Sequence, residues 1–152
     1  MRRGGRRLPQ SCVDQLLAAD LTVHAGDLTS MLVLNELQSY GAVVAVHGNV
    51  DDADVRAALP ATALVSAAGA TIALVHDGGP AAGRLARLRA RFPEADAVIF
   101  GHSHQPLQER SSDGFQIFNP GSPTDRRRAP AYTMGIARAK RGQLRFELIV
   151  LE

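Results

Sequence analysis

The sequence predicts an α/β protein whose helices and strands pack in layers on more than one sheet. Three observations predict it. Up to Pro106, apolar runs of strand length alternate with Ala-, Leu- and Arg-rich stretches of helical spacing. After Pro106 the texture changes to short strands separated by Gly, Asp and Pro turns. The whole spans 152 residues, 45% of them hydrophobic and 21% charged, the size and balance of one packed domain. A βα first half followed by a mostly β second half calls for α and β layers stacked on one another.

The elements follow in order. Ser11–Ala19 reads as a helix, with Ser11 a candidate N-cap and Asp14 three residues on, as in a capping box. Leu21–Ala25 is a short apolar strand. Thr29–Tyr40 is an amphipathic helix with Leu32, Leu34 and Leu37 among its apolar positions and Gly41 as its stop. Ala42–Val46 is a second apolar strand, and Asp52–Leu59 a short helix closed by Pro60. Ala61–Ser66 and Ala70–Val75 flank Gly69 as a hairpin. Ala81–Phe92 is a helix stopped by Pro93, and Ala97–Phe100 a third buried strand. Short strands are expected near Leu107–Arg110, Phe115–Phe118, Tyr132–Arg138 and Leu144–Leu151.

Composition excludes several classes. No apolar run reaches the roughly 18 residues a membrane span needs, and the basic N-terminus lacks the apolar stretch of a secretory signal. The single cysteine, Cys12, forbids an internal disulfide and fits a reducing, cytoplasmic setting. Of 17 basic residues only Lys140 is Lys, a bias that accompanies the high Ala content. Net charge is +2, and Arg2, Arg3, Arg6 and Arg7 supply +4 of it, so the remaining chain stands at −2. The basic character therefore belongs to the terminus rather than to the body of the chain.

Chemistry gathers at strand ends. Leu21–Ala25 runs into Gly26-Asp27, and Ala42–Val46 into His47-Gly48-Asn49-Val50-Asp51. Ala70–Val75 runs into His76-Asp77, and Ala97–Phe100 into Gly101-His102-Ser103-His104. Active sites of open α/β sheets lie beyond the carboxyl ends of strands. Four strands delivering Asp, Asn, His and His-x-His to one edge would build an oxygen and nitrogen cage for metal. The glycines before Asp27, Asn49 and His102 would permit tight turns and close backbone approach. Taken singly each motif has a plainer reading: Gly-Asp and Gly-Asn as turns, His76 as a core histidine, Asn119-Pro120-Gly121-Ser122 as a loop.

In series, HAGD (24–27), GNVD (48–51), His76, GHSH (101–104) and NPGS (119–122) resemble the calcineurin-like metallophosphoesterase superfamily. The likeness is to its small single-domain prokaryotic phosphodiesterase branch, which also resembles the retromer scaffold subunit. It covers about Leu8 to Leu151. The resemblance implies an α/β fold that is a layered α/β/β/α sandwich of two mixed sheets, spanning 1–152 as a single domain. It implies two divalent transition-metal ions (Mn, Ni, Fe or Zn), with Asp27 bridging both. Asn49, His76 and His102 would complete the second ion, and His104 would belong to the first. Asn49 and Asp27 would be the catalytic pair in phosphodiester hydrolysis by metal-activated hydroxide attack on phosphorus. Substrates would be small phosphodiesters or nucleotides, with nucleic acid left open as the lesser alternative and no membrane partner. Strands near the C-terminus leave self-association open.

Departures from the family pattern sharpen these expectations. The family's opening strand ends in Asp-x-His, and no Asp-x-His occurs here. The first-metal site is therefore incomplete, and we expect a shortened start, with the basic tip a loop beside the site. The alternative is a catalytically weak or inactive relative that acts as a binding scaffold. Val50 stands where many relatives carry a His proton donor; the small phosphodiesterase branch also lacks it. Asp51 is a candidate for that role or a helix cap. Asp77 replaces a usual Gly and could support a ligand His or simply make a turn. His47 is a packing or supporting group. Arg126, in the basic run 126–128, could meet phosphate or nucleic acid or be a solvated loop residue.

Overall fold

A computed structural model describes residues 7–151. Arg2, Arg3 and Arg6, expected in a basic loop beside the site, lie outside the described residues. Helix α1 spans Gln10–Ala18. It starts a residue earlier than the capping pattern predicts, because the Pro9 carbonyl accepts from the Cys12 and Val13 N–H groups at 3.0 and 3.1 Å. Ser11 therefore sits inside the first turn and caps nothing, while Asp14 accepts from Gln10 Nε2 at 2.8 Å.

Strands β1 (Thr22–His24) and β2 (Val43–Ala45) pair in parallel, joined through helix α2 (Met31–Tyr40). On α2 the buried stripe is Val33, Leu34 and Leu37. Leu32, expected on that face, is 78% exposed, because it falls off the i, i+1, i+4 arc that meets the core. Each fully buried Val or Leu there contributes roughly 1.5–3 kcal/mol. Helix α3 (Ala53–Ala58) is capped by Asp52, whose carboxylate accepts from Val55 N–H at 2.9 Å.

A five-stranded mixed sheet forms the centre, in the order β3 (Thr62–Ala67), β4 (Ala70–Val75), β5 (Ala97–Ile99), β7 (Gln116–Asn119), β6 (Leu107–Arg110). The β3–β4 hairpin turns at Ala68 and Gly69, both at positive φ. Helix α4 (Arg84–Arg91) starts later than Ala81, since Gly83 at φ 69° does not continue a helix. The last hairpin joins β8 (Tyr132–Lys140) and β9 (Gln143–Leu151) antiparallel.

Alternation along β4 and β5 sorts the core into two faces. Ala73, Val75, Val98, Phe100 and Ile117 pack under α4 with Leu88 and Phe92. Ile72, Leu74, Ala97, Ile99 and Phe118 face the other way, toward Val23 and Val44 of the β1–β2 pair and Phe146 of β9. Helix α2 then covers the outer side of β1–β2, with Leu34 and Leu37 clustering with Ala45 of β2. The layers run α/β/β/α, as the family resemblance implies. The second β layer consists of two separate pairs among the described residues, so it is not one continuous sheet. Among the described residues no helix is long and apolar enough to cross a membrane.

Candidate metal centre

Loops leaving β1, β2, β4 and β5 converge on one point. Asp27 follows β1, Asn49 follows β2, His76 ends β4, and His102 follows β5. His76 Nε2 lies 2.9 Å from Asn49 Oδ1, 3.2 Å from Asp27 Oδ2 and 3.3 Å from His102 Nδ1. Asn49 Oδ1 is also 3.2 Å from His102 Nδ1. The ligand atoms of Asp27, His76 and His102 all fall within 4.8 Å of one another. Asp27 and His76 are buried, His102 is half-buried, and Asn49 is exposed at the rim.

The backbone is bent to achieve this. Asp27, His102 and His104 take φ of 60°, 69° and 59°, in the left-handed region. Such conformations cost about 1–3 kcal/mol each and gather at functional sites. Asp and His are the non-glycine types that tolerate them best among polar ligands. Gly26, at φ 100°, also admits the close approach, since a Cβ there would lie 2.7 Å from His76 Nδ1. A Cβ on Gly48 would overlap the Asp27 carboxylate. Gly101, expected to be similarly constrained, is not: its nearest neighbour would stand at 3.4 Å.

Protonation is set by the same contacts. His76 Nδ1 is 2.7 Å from the Ala25 carbonyl, which only accepts, so Nδ1 carries hydrogen. In the neutral ring the Nε2 lone pair then points at a carboxylate oxygen and an amide oxygen. That crowd of lone pairs is reconciled by a proton or by a cation. With no ion, the proton takes the place: burial works against it, but Asp27 and the Ala25 carbonyl raise the His76 pKa. Burial pushes Asp27 the opposite way from its neighbours, yet the bonds from His76 and Val50 N–H hold its carboxyl at about 2. One carboxylate, one amide oxygen and two imidazoles form a donor set that fits Mn, Fe, Ni or Zn.

Other sequence-predicted residues take different places. His104 stands outside the 4.8 Å group, and its Nδ1 donates to the Asp125 carbonyl at 2.5 Å. Burial first, then the Arg127 charge, lower its pKa. Asp51 does not cap α3, a task that falls to Asp52. Its Oδ2 accepts from Asp27 and Gly48 N–H at 3.1 and 2.6 Å, and its Oδ1 from Thr29 N–H at 2.6 Å. Asp77 is exposed and closes a local turn by accepting from Gly79 N–H at 2.8 Å. His47 is half-buried, and its backbone N–H donates to Pro60 at 3.0 Å. Arg126 turns back on its own loop, donating to Pro130 at 3.1 Å with its guanidinium 5.8 Å from the Tyr132 ring. Its neighbour Arg127 reaches the site instead, donating to the His102 carbonyl at 2.8 Å. The NPGS turn is a brace: Asn119 Nδ2 donates to the Gly101 carbonyl at 3.1 Å.

Sequence reasoning missed the Asp51 clamp and the contact of Arg127 with the cluster. It also missed the left-handed backbone at the ligands, for which adjacent Gly-Asp and Gly-His were the available signal.

Residues 5–142 match the model of the calcineurin-like phosphoesterase superfamily domain. A probable metallophosphoesterase of Methanothermobacter thermautotrophicus is 34% identical over 119 residues, 77% of this chain and 68% of the relative. Another, from Methanocaldococcus jannaschii, is 33% identical over 120 residues, 77% of this chain and 60% of the relative. A single-mutant crystal structure of Vps29 from Entamoeba histolytica superposes with a TM-score of 0.78 at 19% identity, covering 100% of this chain and 94% of that one. That last likeness is one of fold.

Proposed function

Because the chain belongs to the calcineurin-like phosphoesterase superfamily, we propose that it is a metal-dependent phosphodiesterase built on Asp27, Asn49, His76 and His102. The observation that carries this reading is the convergence of four lone-pair donors on one point, with His76 Nδ1–H locked onto the Ala25 carbonyl. A divalent ion held there supplies Lewis-acid chemistry, withdrawing charge from a phosphoryl oxygen and acidifying water.

The chain's own residues do the rest. Asp27 stays ionised well below neutral pH and presents Oδ2 to the cluster while Oδ1 accepts from Val50 N–H at 3.0 Å. The Ala25 carbonyl fixes the His76 tautomer, so Nε2 is the liganding atom. Asn49 offers its carbonyl oxygen inward and leaves its NH2 for a phosphoryl oxygen. We assign His104, with Asp27, to the first ion, as the resemblance implies. Val50 has no proton to give, so the leaving oxygen takes its proton from solvent. That favours diesters with stable leaving groups.

A second reading, a scaffold that binds an ion or phosphate without turnover, is favoured by one observation. The described residues supply one converging donor group, and His104 lies outside it. Hydrolysis of bis(p-nitrophenyl) phosphate with Mn²⁺ or Ni²⁺ separates the readings. The enzyme reading expects wild-type turnover that Asp27→Ala and His102→Ala abolish. Equal rates in all three proteins reject the site. A wild type that binds the ion but hydrolyses nothing supports the scaffold.

A further inference from the structure

The loop that follows the NPGS turn is clipped to the His102–His104 loop at two points. His104 Nδ1 donates to the Asp125 carbonyl at 2.5 Å, and Arg127 Nη1 donates to the His102 carbonyl at 2.8 Å. The loop is also tied internally. Ser122 Oγ accepts from Asp125 N–H at 3.0 Å, and Ala129 N–H donates to the Arg126 carbonyl at 2.8 Å. Arg127 itself sits at φ 47°. This backbone turns its side chain toward the cluster while Arg126 leans on Tyr132.

Arg127 lines a cavity of about 710 Å³ together with Asp27, His76, His102 and His104. A guanidinium has five N–H donors in a rigid fork. Among the described residues Arg127 spends one of them on the protein. Arg138, the other arginine lining the cavity, is paired with Glu147 at 2.7 Å. The fork of Arg127 is thus a cation beside the cluster with donors to spare. Its shape matches two oxygens of a phosphoryl group.

We propose that Arg127 is a positioning residue that binds the non-bridging oxygens of a phosphoester beside the metal cluster, selecting an anionic phosphoryl group. This rests on the phosphoesterase reading above. The bond to the His102 carbonyl aims the fork, and the strained backbone keeps it there.

The test compares wild type with Arg127→Gln, Arg127→Lys and Arg127→Ala, all loaded with Mn²⁺. Inorganic phosphate is titrated in by calorimetry, and bis(p-nitrophenyl) phosphate kinetics are run in parallel. Charged hydrogen bonds of this kind are worth about tenfold or more in binding. Arg127→Ala and Arg127→Gln are expected to weaken phosphate binding about tenfold or more and to raise KM more than they lower kcat. Arg127→Lys restores part of the loss. Mn²⁺ affinity and thermal midpoint stay near wild type in all three. Gln keeps a donor for the His102 carbonyl but not the charge. If Arg127→Gln binds phosphate as wild type does, the residue is only a loop tie and the proposal is overturned. A wild type without turnover defeats the phosphoesterase reading alone, because the phosphate titration still decides Arg127.

Discussion

Replacing Asp51 by Asn tests whether that carboxylate is a loop clamp or a proton donor. Asp51 is 7% exposed and accepts three backbone N–H groups from two loops. Two of them, from Asp27 and Gly48, share Oδ2 and are buried. Asn keeps its one oxygen at the Oδ2 position, where it accepts from both buried N–H groups, and turns its NH2 toward the Thr29 N–H. Stranding that one donor costs about 1–3 kcal/mol, with about 2 as the central expectation. Against a total stability of about 5–15 kcal/mol, that is a readable share. With a urea slope of about 2 kcal/mol/M, the unfolding midpoint of metal-free Asp51→Asn falls by about 1 M. Because Thr29 shares its loop with Asp27, Mn²⁺ affinity drops as well. The shape of the kcat–pH profile is expected to stay as in wild type. Urea unfolding and Mn²⁺ calorimetry read the first two, and steady-state kinetics the third. An Asp51→Asn protein with an unchanged midpoint, but a lost basic limb in kcat, would refute the clamp and restore the proton-donor role.

Three more expectations follow from the geometry. Gly48→Ala places a methyl against the Asp27 carboxylate, so metal binding measured by calorimetry weakens at least tenfold; wild-type affinity would contradict the packing. Burial lowers His24 from 6.5 to about 4. Below pH 6.5 the unfolded chain therefore binds the extra proton, so stability is full above pH 6.5 and falls by about 3 kcal/mol toward pH 4. His24→Gln should flatten that slope in denaturant unfolding between pH 7 and 4, and an unchanged slope would place the titration elsewhere. Cys12 is buried, and burial raises its thiol to about 11, so a thiol reagent at pH 8 should label it only as fast as the chain opens; labelling as rapid as in denaturant would contradict the burial.

Much of the fold was legible because its signals are local. Short apolar runs and Gly or Pro stops located the strands within a residue or two, and Gly69 marked the hairpin. The candidate site was legible as a series of motifs at strand ends, since Gly-Asp, Gly-Asn and Gly-His carry their candidate ligands within a few residues of the strand. Cap choice was less so: Pro9 displaced Ser11, and Asp52 rather than Asp51 caps α3, because neighbouring polar residues compete for the same few N–H groups and the chain's path decides between them.

What the sequence determined by itself was the alternation of elements, the family likeness and the set of ligand types. Those properties depend on residue order and on spacings of a few residues. What only the tertiary structure decided was which polar groups meet. Asp51 reaches Asp27 and Thr29 across separations of 24 and 22 residues. His102 meets Asn49 across 53, and Arg127 rather than Arg126 touches the His102 loop. Such pairings have no local signature. Hydrogen bonds are directional and short, and their partners are chosen only when packed layers bring distant loops within about 3 Å.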